Sequence, residues 1–309
     1  MKTSDWFDDI PVISKLSHIE AAAKLREIGE DQTAALLLQA GHKIQDPPKI
    51  FGLRDWLPGG PPAWQHSAHA FGYIPPVSEE QEVSAIMHVG QVKADQHLKN
   101  SRLNVTLDGL YAADYPGRGE HRILFDFYGQ NQVRDGAEDL HFNATHRVRE
   151  GERAAILGFP IFVGLNVGNQ GIAFKGFTVN VKNSDDETLL SMMDSDLFKK
   201  GLHLTTIAQP AIAPLTGLAV ALTRSIATRN RNVPVQDFYL GLDFSNVTTR
   251  ARLAIGSYIA VQIPETITLA WHWGEWVYQR TTGRIVAKSD PTQLIPYNYV
   301  IIGVSKYEE

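Results

Sequence analysis

The chain has 309 residues, 29 of them basic and 34 acidic, for a formal net charge of −5, and it contains no cysteine. This excludes a disulfide framework, a thiolate metal site and a cysteine nucleophile, and it supplies no global positive field to hold a nucleic acid or an anionic membrane. At this length roughly three quarters of the unfolded surface can be buried, so a core can form without a covalent or metallic staple.

The stretch before Leu16 carries Asp5, Asp8 and Asp9 and no apolar run of signal-peptide length, which makes the cytoplasm the expected compartment. Ser17 and Glu20 then stand at capping-box spacing, and "EDQTAALLLQAG" closes on Gly41. Together they predict a helical hairpin within residues 1–46. Residues 47–100 read as a strap and connector. Proline is dense up to Pro76, while Phe51, Trp56, Trp64, Phe71 and Tyr73 are too apolar for a free linker. Proline fixes φ and removes backbone donors, so the expectation there is an ordered segment without regular structure, lying on another surface.

From Ser101 the period becomes two, and residues 101–309 read as one β-sandwich domain. "RLNVTLDG" places Leu103, Val105 and Leu107 on one face. "LHFNATHRVRE" places Leu140, Phe142, Ala144, His146 and Val148 on one face and His141, Asn143, Thr145, Arg147 and Arg149 on the other. "QDFYLGLDF" turns Phe238, Leu240, Leu242 and Phe244 inward, and "RLAIGSYIAVQI" is read as one strand with Leu253, Ile255, Ile259, Val261 and Ile263 inward. Further segments, "WHWGEWVY" among them, bring the expected total to about nine short strands without alternating helices. The fold class is therefore mainly β: an antiparallel sandwich with an N-terminal helical hairpin and an inserted helix pair at 184–232. The first inserted helix is framed by Ser184, Asp185, Asp186 and Glu187 at its start and by Lys199, Lys200 and Gly201 at its end. The second runs from Pro214 to about Arg229, with Leu215, Leu218, Leu222 and Ile226 as its apolar stripe.

Several side-chain sets point to chemistry. Trp271, Trp273 and Trp276 form an aromatic run suited to stacking on a sugar, a base or a peptide, and Trp56 and Trp64 add rings from the strap. Arg224, Arg229 and Arg231 at the end of the second inserted helix suit an anion, although they also complement that helix's dipole. His66 and His69 at a spacing of three, with His121 and His141 on neighbouring strands, are the candidate ligands of a divalent metal, with Asp126 or Asp114 as a base. Asp126, between Phe125 and Phe127, reads as a buried carboxylate partnered by His121 or Arg122. Asp108, Asp114, Asp194, Asp196 and Asp290 are candidates for a calcium-bearing end of the sandwich. The stretch 201–223 is free of Asp, Glu, Lys and Arg, but its two prolines, Gln209 and His203 make it a poor membrane span.

No G-x-S-x-G elbow and no phosphate-cradling loop occurs in the sequence. The leading expectation is a non-catalytic binding or assembly module that recruits a protein partner, or a second copy of itself, through the hairpin or the strap. It has no cofactor and no nucleic acid. Two alternatives stand beside it: a metal-dependent hydrolase built on the four histidines, and a membrane-active protein that releases residues 201–223 or docks through aspartate loops with calcium.

Overall fold

The computed structural model describes residues 9–42, 61–76, 81–133, 136–193, 202–204, 212–245, 247 and 250–308. The helices are α1 (His18–Glu27), α2 (Asp31–His42), α3 (Glu187–Met193) and α4 (Ile212–Thr228). In chain order the strands are β1 (Ala68–Ile74), β2 (Val83–Ala85), β3 (Met87–His88), β4 (Arg102–Ala112), β5 (Glu120–Val133), β6 (Gly136–Arg149), β7 (Glu152–Arg153) and β8 (Phe159–Asn166). There follow β9 (Ile172–Asn180), β10 (Leu202–His203), β11 (Val233–Asp243), β12 (Ala251–Arg252), β13 (Gly256–Ile263), β14 (Trp276–Gln279), β15 (Arg284–Ala287) and β16 (Tyr299–Lys306).

Period-two patterning sorts these strands into layers. An eight-stranded sheet has the order β10-β8-β4-β16-β13-β1-β3, with β7 beside β4, and a five-stranded sheet has the order β12-β11-β9-β5-β6. Pairing is antiparallel except for β10 with β8 and β11 with β12. Between the two sheets lie Leu103, Val105 and Leu107 from β4, Phe125 and Phe127 from β5, and Phe238, Leu240 and Leu242 from β11, as alternation requires. Phe127 sits 5.1 Å from Phe174 and 6.0 Å from Phe162, ring centroid to centroid. Burying each such ring contributes about 1.5–3 kcal/mol.

Each large sheet has a second covered face. Over the five-stranded sheet lie α3 and α4, whose Leu190, Ile226 and Ala227 meet Leu124, Tyr128, Phe177 and Val179. This covering accounts for the burial of His141 and Asn143, which the strand pattern had placed on the polar side of β6. Over the eight-stranded sheet lies a third, small sheet of order β15-β14-β2, with Ile259, Val261 and Ile301 packed against Trp273 and Ile285. The molecule is thus mainly β and sandwich-like, with the expected N-terminal hairpin. The helix α1 opens on the Ser17 and Glu20 capping box, both halves of which form. The hairpin's Ala21, Ala22, Leu25, Ala34 and Leu37 join the same core as the two sheets.

Four expectations are corrected. First, the proline-rich stretch contains β1, a full strand paired with β13 from Ala68↔Ile263 to Ile74↔Ser257. Its core, "SAHAFGYI", has no proline, so the ladder forms between the proline clusters. Second, "RLAIGSYIAVQI" is not one strand. The chain leaves the five-stranded sheet at β12 and enters the eight-stranded sheet at β13, turning at Gly256, whose φ is +144°. A Cβ at Gly256 would stand 2.8 Å from the Tyr73 ring and 2.7 Å from the Ile74 carbonyl, so only glycine fits the crossing. Third, Trp271 to Glu275 is not strand: Trp273–Glu275 is a short 3-10 turn, and pairing begins at Trp276. Fourth, of the expected stripe of α4, Ile226 is buried and Leu222 packs partly against the same cluster, but Leu218 is 46% exposed, and the buried face is completed by Ala219, Thr223 and Ala227. Of the first inserted helix, residues 184–186 form a 3-10 turn and α3 follows; its expected end, with Asp194 and Asp196, lies outside the described residues, as do Trp56 and the side chain of Leu215.

Candidate binding cleft

A cleft of about 1050 Å³ opens where the edges of the two large sheets approach each other. One wall is β1, the other is the end of β11, and the loop after β13 closes it with Thr268 and Trp271. His69 and Trp271 are 202 residues apart in sequence, yet both line this space, with Phe71 and Phe244 beside them and Lys99 and Arg250 bringing positive charge. The ring of His69 lies 5.5 Å from that of Phe238 and 6.4 Å from that of Phe71.

Two polar atoms in this wall are unsatisfied. His69 Nε2 and Trp271 Nε1 are covered from solvent and have no hydrogen-bond partner among the described residues. A buried polar atom left in this state costs about 1–3 kcal/mol, so it calls for an explanation. Burial holds the His69 imidazole at about 3, with the charge of Lys15 acting in the same sense; the side chain of Gln236, near enough to hydrogen-bond the protonated ring, opposes them. His69 is therefore neutral at pH 7, able to donate from one ring nitrogen and accept at the other.

The tryptophan run converges, although by a different route from the one expected. Trp271 stacks on Trp276 at 6.1 Å with 6° between the planes, and meets Trp273 edge-on at 5.3 Å. Trp273 is buried and donates its indole N–H to the Phe71 carbonyl at 2.9 Å, tying the run to β1. Trp64 lies elsewhere, buried beside a cavity of about 410 Å³ between the hairpin and the sandwich. Asp114 lines that cavity too, and its carboxyl is pushed up to about 7 by burial and by the negative charge of Glu150.

The four histidines do not meet. His121 pairs across the ladder with Val148 and faces the space between the sheets, whereas His141 pairs with Tyr128 and faces α4. A strand alternates its side chains, so these two lie on opposite faces of one sheet. His66 packs edge-on against Tyr297 at 5.4 Å, away from both. Among the described residues no group of three or more His, Asp and Glu side chains is arranged to hold a metal. The expected metal set therefore does not assemble.

Asp126 is fully buried, as its sequence suggested, but its partner is neither His121 nor Arg122. It is His141 Nε2, on the same face and the neighbouring strand. The His141 ring lies 4.4 Å from that of Tyr128, tilted by 33° to it, and the Tyr128 hydroxyl is held far above its ordinary range by burial and by the Asp126 carboxylate. Elsewhere on this face, Lys175 Nζ, also fully buried, lies 3.6 Å from Asp237 and 4.8 Å from the centroid of the Tyr239 ring.

The arginines after α4 do not converge on an anion. Arg224 reaches Asp9 at 3.3 Å, and Arg229 reaches the buried Asp186 at 2.7 Å. Arg231 uses its backbone N–H on Glu27. Asp108 accepts from Thr106 and Ser257 at 2.7 and 2.9 Å, and Asp290 accepts from Thr292, so neither presents free oxygens toward a shared cation. Residues 202–204 of the apolar stretch are held by β8, with Leu204 N–H bonded to the Val163 carbonyl. Among the described residues no helix is long and apolar enough to cross a membrane. Compared with family models, with curated proteins and with solved structures, the chain finds no match.

Proposed function

We propose that the chain is a non-catalytic binding module that recruits a partner protein through the cleft between β1 and the end of β11. The observation that supports this reading is that Trp271 and His69, from opposite faces of β1, both line the cleft, each with a ring nitrogen that has no partner among the described residues. A ligand that engages them recovers the cost of those orphaned groups and gains stacking area on rigid aromatic rings, the combination that concentrates binding energy at interfaces. Both nitrogens are covered in the unliganded protein, so their engagement requires a small rotation of the rings.

The cleft replaces the hairpin as the recruiting surface in this proposal. The hairpin's apolar residues are occupied in the core, which leaves its outer side polar apart from residues such as Ile19. The test is photocrosslinking in cells with p-benzoylphenylalanine at Thr268, in the cleft, and separately at Leu157, which is 96% exposed and outside it. A discrete heavier adduct from position 268 that is missing from 157, and that is lost when Trp271→Ala is added, is the expected result. Equal labelling from both positions, or none from 268, removes the cleft from consideration.

A further inference from the structure

The ligand class can be narrowed from the backbone of the same wall. Strand β1 is paired along its whole length with β13, but on its other side β3 covers only Gly72 and Tyr73. Among the described residues, Ala68 to Phe71 have no strand on that side and no backbone–backbone hydrogen bond to any segment other than β13. Peptide groups of an antiparallel strand alternate in direction, so about half of the N–H and C=O groups of this stretch face away from β13. One is occupied: the Phe71 carbonyl accepts the Trp273 indole. His69, Ala70 and Phe71 line the cleft, and so do His88 and Val89 where β3 ends. An open strand edge usually carries a protecting charge, bulge or proline, and Ala68–Phe71 carries none of these.

We infer that the cleft takes an extended peptide segment of a partner protein, which adds as a strand to β1 beside Ala68–Phe71. This rests on the cleft being the binding site. Strand addition accounts for the open edge and the aromatic wall together: main-chain bonds provide affinity, and alternate side chains enter the pockets on either face. On one face the added strand meets His69 and Phe71; on the other it meets Ala68 and Ala70, with Trp271 packed against that side. The charge of the lining selects further. Among the described residues of the lining, Lys99 and Arg250 stand against one carboxylate, Asp243, which Arg250 already contacts at 3.3 Å, so this described wall is locally positive on a chain of net charge −5. The segment it fits is neutral or acidic, with an apolar residue at every second position.

The probe is a displayed library of unstructured peptides of about ten residues, panned on the full chain, with enriched sequences resynthesised for anisotropy titration. Enriched peptides are expected to alternate apolar residues and to lack net positive charge. N-methylation at every second residue of such a peptide is expected to weaken binding by about tenfold or more, the loss of roughly one main-chain hydrogen bond, while N-methylation at the intervening residues changes it little. The amides of Ala68–Phe71 gain protection from hydrogen exchange in the complex. Equal tolerance of N-methylation at both sets, or unchanged exchange at Ala68–Phe71, overturns strand addition. A chain that instead dimerises through this edge, seen as concentration-dependent sedimentation, overturns it in favour of a second copy. If no peptide is enriched while position 268 still crosslinks, strand addition falls and the cleft stands; if position 268 is silent as well, both fall.

Discussion

Taking the protein from pH 7 to about pH 5 is expected to destabilise it by several kcal/mol. Burial holds His66, His121 and His146 at about 4 and His69 at about 3. In the unfolded chain the same imidazoles titrate near 6.5. Between those values each is neutral in the fold and cationic once unfolded, so the unfolded state binds more protons there. Stability therefore rises with pH across the window and is lost as pH falls from about 6.5 toward about 4. Each proton taken up on unfolding tilts the balance by roughly 1.4 kcal/mol per pH unit.

Asp114 acts in the opposite sense. Its carboxyl, pushed up to about 7, keeps its proton in the fold between its ordinary value and 7, so its contribution weakens as pH rises through that interval. Four histidines against Asp114, with Asp108 also held above its ordinary value by burial, leave a net slope on the order of 3 kcal/mol per pH unit in mid-window, enough to consume much of a typical stability of about 5–15 kcal/mol within a few units. The urea midpoint should fall steeply between pH 6.5 and 5. The variant His146→Leu, which replaces an imidazole packed edge-on against Phe159 at 6.0 Å, should make that fall shallower. A urea midpoint constant from pH 7 to pH 4.5 would contradict the assignment of these histidines as buried and neutral.

The second large effect concerns Asp126 and His141. Replacing His141 by leucine leaves the Asp126 carboxylate without its partner in a fully buried site, and removing one member of a buried pair typically costs about 3–5 kcal/mol. Replacing both, Asp126→Leu with His141→Leu, removes the buried polar pair altogether and should cost less than half as much as the single change. Chemical denaturation of the two single variants and the double variant closes the cycle. The double variant costing the sum of the singles would show that the two side chains do not act together. The same pair shows how a polar group can be structural under a helix: it joins β5 to β6 on the face covered by α4, and no opening of the molecule reaches it among the described cavities.

The alternation of Leu103, Val105 and Leu107, or of Phe238, Leu240 and Leu242, was legible because each strand buries one face in the same core. The capping box at Ser17 was equally plain, since its two hydrogen bonds are local in sequence. What the pattern could not carry was register and connection. Whether His121 and His141 share a face depends on the hairpin joining β5 to β6, and the pairing of Asp126↔Asn143 beside Tyr128↔His141 follows from that register alone. The strand β1 was hidden between proline clusters. The break at Gly256 was hidden inside an apolar run that continues smoothly across two sheets. Sequence alone marks Trp271 as a binding residue, but offers its companion His69 only as a metal ligand in an alternative reading. The cleft they share is assembled from segments far apart in the chain, and no spacing rule brings them together.

The most direct test of the cleft as the binding site is the nitrogen-15 spectrum of the tryptophan side chains, titrated with a peptide enriched by panning. The indole signal of Trp271, which has no hydrogen-bond partner among the described residues, should move on binding, while that of Trp64, buried beside the hairpin, should stay in place. Saturable binding that leaves the Trp271 signal unmoved would contradict the account.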